Sequence, residues 1–135
     1  MSSVPGERVM VLVVDDNVEV AEAIAEQVRE LGHRVVVAHD AVTAIHSAAS
    51  YPPDIVLTDI FMAEMDGLEL IRAVRANRIE MSIIAMSGGA KGGFDALGLA
   101  EKFGADAVIS KPFRREELGE VIDRCLGRSP KPTSA

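Results

Sequence analysis

The sequence predicts an α/β domain, doubly wound, with helices on both faces of a five-stranded parallel sheet. Three observations carry that expectation. Short runs rich in Val and Ile alternate with amphipathic stretches along most of the 135 residues. The runs are nearly continuous in hydrophobicity, as in strands covered on both faces. Capping residues and glycine or proline stops, such as Asn17, Gly32, Asp40, Pro52-Pro53 and Gly104, separate the segments.

The strands are expected over Val9–Val14, Arg34–Ala38, Asp54–Thr58, Ser82–Met86 and Ala107–Ile109. Helices fill the gaps. Asn17 is placed to cap a helix whose Ala21, Ile24, Val28 and Leu31 recur at three- and four-residue steps, with Gly32 as its stop. Asp40 can cap a second, through Ala41, Ala44, Ile45 and Ala48, which must end before Pro52-Pro53. Leu68, Ile71 and Val74 mark a third helix. Phe94, Leu97 and Phe103 mark a fourth, closed by Gly104, and Leu118, Val121, Ile122 and Cys125 a fifth. Strand–helix alternation of this kind builds a parallel sheet through right-handed crossovers.

Composition bounds the rest. Residues 8–126 are expected to form one domain, with residues 1–7 a mobile N-terminal segment and residues 127–135 a disordered, Pro-rich tail. Hydrophobic residues make up 48% and aromatics only 4%, so the core must be aliphatic. A net charge of −7 gives no general attraction for nucleic-acid phosphates, so no nucleic-acid partner is expected. The lone Cys125 sits at helical spacing among apolar residues and reads as a core or half-buried residue. No apolar run is long enough for a membrane span and no secretion signal opens the chain, so a soluble, cytoplasmic protein without a membrane partner is expected. His33, after a helix-ending glycine, is placed to interact with that helix's C-terminal dipole, and His46 reads as an exposed helical residue.

The chemistry lies at the ends of the strands. Asp15 and Asp16 end the first apolar run, Asp59 ends the third, and Lys111 follows the fifth. In open α/β sheets ligands bind outside the carboxyl ends of the strands. A single Asp after a strand usually caps the next helix. Gathered at one edge, however, such carboxylates repel by about 4 kcal/mol per pair at about 4 Å and an effective dielectric near 20. A hard cation relieves that repulsion, and an all-oxygen site that leaves room for phosphate oxygens suits Mg²⁺. An EF-hand calcium loop is absent from the sequence.

The segments Val13-Val-Asp-Asp-Asn17, Leu57-Thr-Asp-Ile-Phe-Met-Ala-Glu-Met-Asp-Gly67, Ala85-Met-Ser-Gly88 and Gly104-Ala-Asp-Ala-Val-Ile-Ser-Lys-Pro-Phe113 together resemble the receiver domain of two-component response regulators, in its stand-alone form. The resemblance implies a flavodoxin-like strand order 2-1-3-4-5. It also implies that Asp59 is the phosphoacceptor, supplied by a histidine kinase or histidine phosphotransfer protein. Asp16, Asp59 and the backbone carbonyl of Phe61 would hold Mg²⁺, with Asp15 acting largely through water. Ser87 and the backbone N–H of Gly88 would bind phosphoryl oxygens. Lys111 would pair with the carboxylate and then with the phosphoryl group, and its bond to Pro112 would be cis. The output would be altered protein binding through the fourth helix, fifth strand and fifth helix, without turnover of an external substrate.

Four positions depart from the pattern. Ala63 stands where the family usually has Pro, flanked by Met62 and Met65, which are expected to pack as core. Val108 replaces the usual Tyr or Phe, so switching is expected to rely on the loop from Ser87 to Gly93, whose four glycines make it easy to move. That loop lacks the full nucleotide-binding pattern, since Lys91 precedes Gly92. Phe61 and Gly89 cannot orient water by hydrogen bonding through their side chains, so slow loss of the phosphoryl group is expected. Two other readings compete: a binding module that acts without phosphorylation, and a phosphohydrolase of the haloacid dehalogenase type. The second lacks its Asp-x-Asp signature here, because Asp59 is followed by Ile60 and Phe61.

Overall fold

Residues 8–62, 67–77, 80–88 and 96–127 are described by a computed structural model. The elements run β1 (Met10–Val14), α1 (Val18–Glu30), β2 (Arg34–Ala38), α2 (Ala41–Ser50), β3 (Ile55–Asp59), α3 (Gly67–Asn77), β4 (Ser82–Ser87), α4 (Ala96–Phe103), β5 (Ala107–Ser110) and α5 (Arg115–Cys125). All pairings are parallel, in the order β2-β1-β3-β4-β5. This is the expected fold. Phe94 lies outside the described residues, as do Ala63, Met65, the loop over 89–93, and residues 1–7 and 128–135.

Local chemistry explains the boundaries. The Asn17 side chain accepts a hydrogen bond from the Val20 N–H at 3.0 Å, and Asp40 accepts from the Thr43 N–H at 2.7 Å. Both are N-caps that satisfy otherwise unpaired donors of the first turn. Gly32 leaves α1 at φ +96° and Gly104 leaves α4 at φ +123°, backbone conformations that glycine adopts without a Cβ penalty. At the start of α5 the Glu117 carboxylate accepts from the Arg114 N–H at 2.8 Å. Several strand edges differ from the sequence reading by one residue: β1 starts at Met10, β3 runs Ile55–Asp59, β4 reaches Ser87 and β5 reaches Ser110. Asp54 precedes β3, where its carboxylate takes the Met10 N–H at 2.9 Å, and Asp59 is the last residue of the strand.

Strand alternation divides the core in two. Val11, Val13, Ile55, Leu57, Ile84 and Met86 face α1 and α5, meeting Ile24, Val28, Leu118 and Ile122. Leu12, Val14, Val56, Ile83 and Ala85 face α2, α3 and α4, meeting Ala44, Leu70, Ile71 and Ala100. Met62 packs against the second cluster, half-buried rather than fully core, and Cys125 packs half-buried against the first, as expected. The central strands are covered on both faces, whereas the edge strand β2 exposes Arg34 and Val36.

His33 departs from expectation. Its ring is buried and its Nδ1 accepts the Val9 N–H at 3.3 Å, so it ties the α1–β2 turn to the start of β1. His46 is exposed, as expected. A second structural tie went unread in the sequence. The Arg75 guanidinium of α3 donates to the carbonyls of Met81 at 2.9 Å and Gly104 at 2.8 Å, and to the Asp106 carboxylate at 2.7 Å. Asp106 in turn accepts the Ile83 N–H at 2.8 Å.

Candidate functional site

The chain passes from β1 to β2 on one side and then to β3 on the other. The crevice at that reversal opens beyond the carboxyl ends of β1 and β3. Asp15 follows β1 directly and Asp59 ends β3, so both carboxylates are delivered there by strand geometry alone. Carboxylate oxygens of Asp15, Asp16 and Asp59 all lie within 4.8 Å of one another. Asp15 and Asp59 are buried, while Asp16 is exposed.

Lys111 reaches into this cluster from the end of β5. Its Nζ lies 3.0 Å from Asp15 Oδ2 and 3.5 Å from Asp59 Oδ1. The closer partner is thus Asp15. The other Asp15 oxygen, Oδ1, accepts the Asn17 N–H at 2.9 Å. Both oxygens of Asp15 therefore already hold protein donors, which fits a role in supporting a cation rather than in ligating it directly. The Lys111–Pro112 bond is cis. The Lys111 N–H donates to the Ser87 carbonyl at 2.7 Å, which ties the end of β5 to the end of β4.

Ser87 is buried at the last position of β4, and Gly88 follows it on the exposed rim. A Cβ added at Gly88 would sit 3.9 Å from Lys111 Cε, so Gly88 lies beside the lysine stem with room to spare. Phe61, two residues past Asp59, has an exposed side chain on the same edge of the sheet. The sequence-derived residues Asp15, Asp16, Asp59, Phe61, Ser87, Gly88 and Lys111 thus belong to one edge.

Burial pushes the Asp59 carboxyl from 3.8 up to about 6; the Lys111 ammonium opposes the rise and the Asp15 carboxylate adds to it. The site is therefore short of positive charge. Three carboxylates face one ammonium, all donors are oxygens, and the cluster is partly open to water. That donor set fits a hard divalent cation such as Mg²⁺.

Several contacts around the site carried no clear sequence signal. A ring nitrogen of His39 lies 3.3 Å from the Asp15 carbonyl oxygen. The Gly67 N–H donates to the Ile60 carbonyl at 2.6 Å, and a Cβ at Gly67 would overlap the Asp59 carbonyl oxygen. Next to the cluster runs a groove of about 630 Å³ between α1 and the β5–α5 connection. Val20, Ala23, Ile24, Pro112 and Phe113 line it, with Lys111 and Gly88 at its rim.

The profile of one family, described as the response regulator receiver domain, matches residues 11–123. The chain belongs to that family. Response regulator MprA of Mycobacterium tuberculosis H37Rv is 35% identical over 127 residues, which is 94% of this chain and 54% of the relative. MprA of Mycobacterium ulcerans is 36% identical over 110 residues, 82% of this chain and 47% of the relative. Among solved structures, a putative response regulator from Chloroflexus aurantiacus superposes with a TM-score of 0.82 at 27% identity, covering 90% of this chain and 100% of that one. NtrX from Brucella abortus superposes at 0.83 with 29% identity over 90% of this chain, but over only 27% of NtrX.

This receiver domain spans about half the length of its curated relatives. The rest of those proteins lies outside the match, so the comparisons lend no support to the expectation of no nucleic-acid partner, which stands on charge alone. Among the described residues no helix is long and apolar enough to cross a membrane.

Proposed function

We propose that this receiver domain takes a phosphoryl group from a histidine kinase or histidine phosphotransfer protein onto Asp59 and thereby switches its binding to another protein. The single observation that supports this most is the gathering of Asp15, Asp16 and Asp59 around Lys111 at the switch point of the sheet. In the transfer, an Asp59 carboxylate oxygen attacks phosphorus. The P–N bond of the donor's phosphohistidine breaks, and the imidazole nitrogen leaves with the electron pair.

The chain's own residues then have distinct roles. Asp59 and Asp16, with the Phe61 carbonyl, would hold the cation, and Asp15 would support it. Mg²⁺, when bound, neutralises the carboxylates and the charge spread over the phosphoryl oxygens. Lys111 supplies a compact, mobile charge to the same oxygens. Ser87 and the Gly88 N–H donate hydrogen bonds to the transferred group. The apolar groove beside Lys111 offers the donor protein a surface next to the acceptor oxygen.

The output surface is α4, β5 and α5. Val108 of β5 is half-buried there and packs against the α2–α4 core cluster, in the position where an aromatic ring would otherwise report the switch. Closure of Ser87 on the phosphoryl group, at the end of β4, carries the change instead. No turnover of an external substrate is part of this reading, and a cytoplasmic setting follows from the kinase partner.

Incubation with acetyl phosphate and Mg²⁺, followed by intact mass, tests the proposal. One phosphoryl group should appear on the wild-type chain and none on Asp59→Asn. A wild-type mass that never changes would favour a binding module that works without phosphorylation. Continuous release of phosphate from a general phosphomonoester would favour a hydrolase.

A further inference from the structure

The residue before the acceptor is a threonine with no exposed surface. Thr58 lies in register between Val14 of β1 and Ala85 of β4, both in the core cluster facing α2, α3 and α4. By strand alternation it shares that face with Val56 and Ile60, opposite the Asp59 side chain. Valine would fill the same volume there without burying a hydroxyl, a group whose burial costs about 1–3 kcal/mol when unpaired. The Thr58 Oγ1 finds its acceptor one residue on, donating to the Asp59 backbone carbonyl at 3.0 Å.

Gly67 lies close behind that carbonyl, so close that any Cβ there would overlap it. The following peptide is held as well. The Ile60 N–H donates to the Met86 carbonyl at 3.0 Å, and the Ile60 carbonyl accepts the Gly67 N–H at 2.6 Å. The exit of β3 is thus pinned at successive peptides, and the Thr58 hydroxyl is the side-chain member of that set.

We infer that Thr58 is a positioning residue for the acceptor site: its hydroxyl orients the Asp59 peptide, and through it the Asp59 carboxylate and the segment to Phe61, toward the cation. This rests on the reading that the cluster holds Mg²⁺ and accepts a phosphoryl group. Thr58 touches neither, and it acts from the far face of the sheet. A structural role alone would change stability but not the Mg²⁺ affinity of molecules that remain folded.

The test compares the full wild-type chain with Thr58→Val, Thr58→Ser and Thr58→Cys. Mg²⁺ dissociation constants are read from amide chemical-shift titrations, and the Ile60, Phe61 and Gly67 amides are compared without metal. Loss of one positioning hydrogen bond should weaken Mg²⁺ about five-fold in Thr58→Val, and the serine variant should stay within about two-fold of wild type. The same three amides should shift in Thr58→Val and hold their positions in Thr58→Ser. If Thr58→Val does not fold, Thr58→Cys, which keeps the size but donates weakly, should show the same loss. Wild-type Mg²⁺ affinity in a folded valine or cysteine variant would overturn the inference. A wild-type chain that binds no Mg²⁺ would instead overturn the reading beneath it, and this inference would fall too.

Discussion

Asp59 carries a carboxyl held near pH 6 by burial, although an ammonium lies 3.5 Å away. Between about pH 4 and pH 6 the folded chain retains a proton that the unfolded chain has released. The stability from this group is therefore full below the unfolded pKa and is lost as pH rises through the folded one. A rise of about two units corresponds to about 3 kcal/mol, which water at the site reduces to about 1–3 kcal/mol. Asp59→Asn should accordingly stabilise the metal-free protein by about that amount at pH 7.5. Urea unfolding at several pH values checks it, and the gain should vanish near pH 4. Phe61 is exposed two residues on and offers no hydrogen bond to water. Phe61→Asn should speed decay of the phosphorylated chain several-fold, as followed by intact mass over time. Cys125 is half-buried, and burial pushes its thiol up to about 11, Asp106 adding to the rise and Arg124 opposing it. Thiolate is then scarce at neutral pH.

At the scale of elements, the junction of β3 with α3 matters most. Gly67 opens α3 against the backbone of β3, with Ile60 Cα only 2.7 Å from where a Cβ would stand. The obstacle is main chain and cannot swing aside. Gly67→Ala should therefore cost about 1–3 kcal/mol, the range of a buried overpacking change. A fall in thermal midpoint together with weaker Mg²⁺ binding is the expected result, since the displaced strand carries Asp59. The opposite end of the sheet depends on Arg75, which joins α3 to the starts of β4 and β5. It is partly exposed, which limits the value of its ion pair with Asp106. Its hydrogen bonds to two carbonyls still lead to an expected loss of about 1–2 kcal/mol in Arg75→Ala. Because this tie lies away from the acidic cluster, Mg²⁺ affinity should be unchanged in that variant.

For the whole molecule, the acidic cluster makes folding and cation binding parts of one equilibrium. A ligand bound only by the folded chain stabilises it by about 1.4 kcal/mol at ten times its dissociation constant. Mg²⁺ should thus raise the unfolding midpoint in a saturable way, and Asp16→Asn should remove most of that rise; a midpoint insensitive to Mg²⁺ in the wild type would contradict the proposed site. The parallel sheet and the edge bearing the site were legible because both follow from local pattern, whereas the strand order came only from the family resemblance. Val- and Ile-rich runs, Asn17 and Asp40 as caps and Gly32 and Gly104 as stops specify parallel strands whose carboxyl ends share one side. The charged residues at those ends, Asp15, Asp16, Asp59 and Lys111, were legible for the same reason, and Ser87 only through the resemblance. Other features required the folded chain. The preference of Lys111 for Asp15, the inward turn of His33, the Arg75–Asp106 tie and the Thr58 hydroxyl on the Asp59 carbonyl all join groups through space. Periodicity in a sequence states which face a side chain takes. Only packing decides which neighbour it meets there, because that depends on distances between strands and helices that no local pattern encodes.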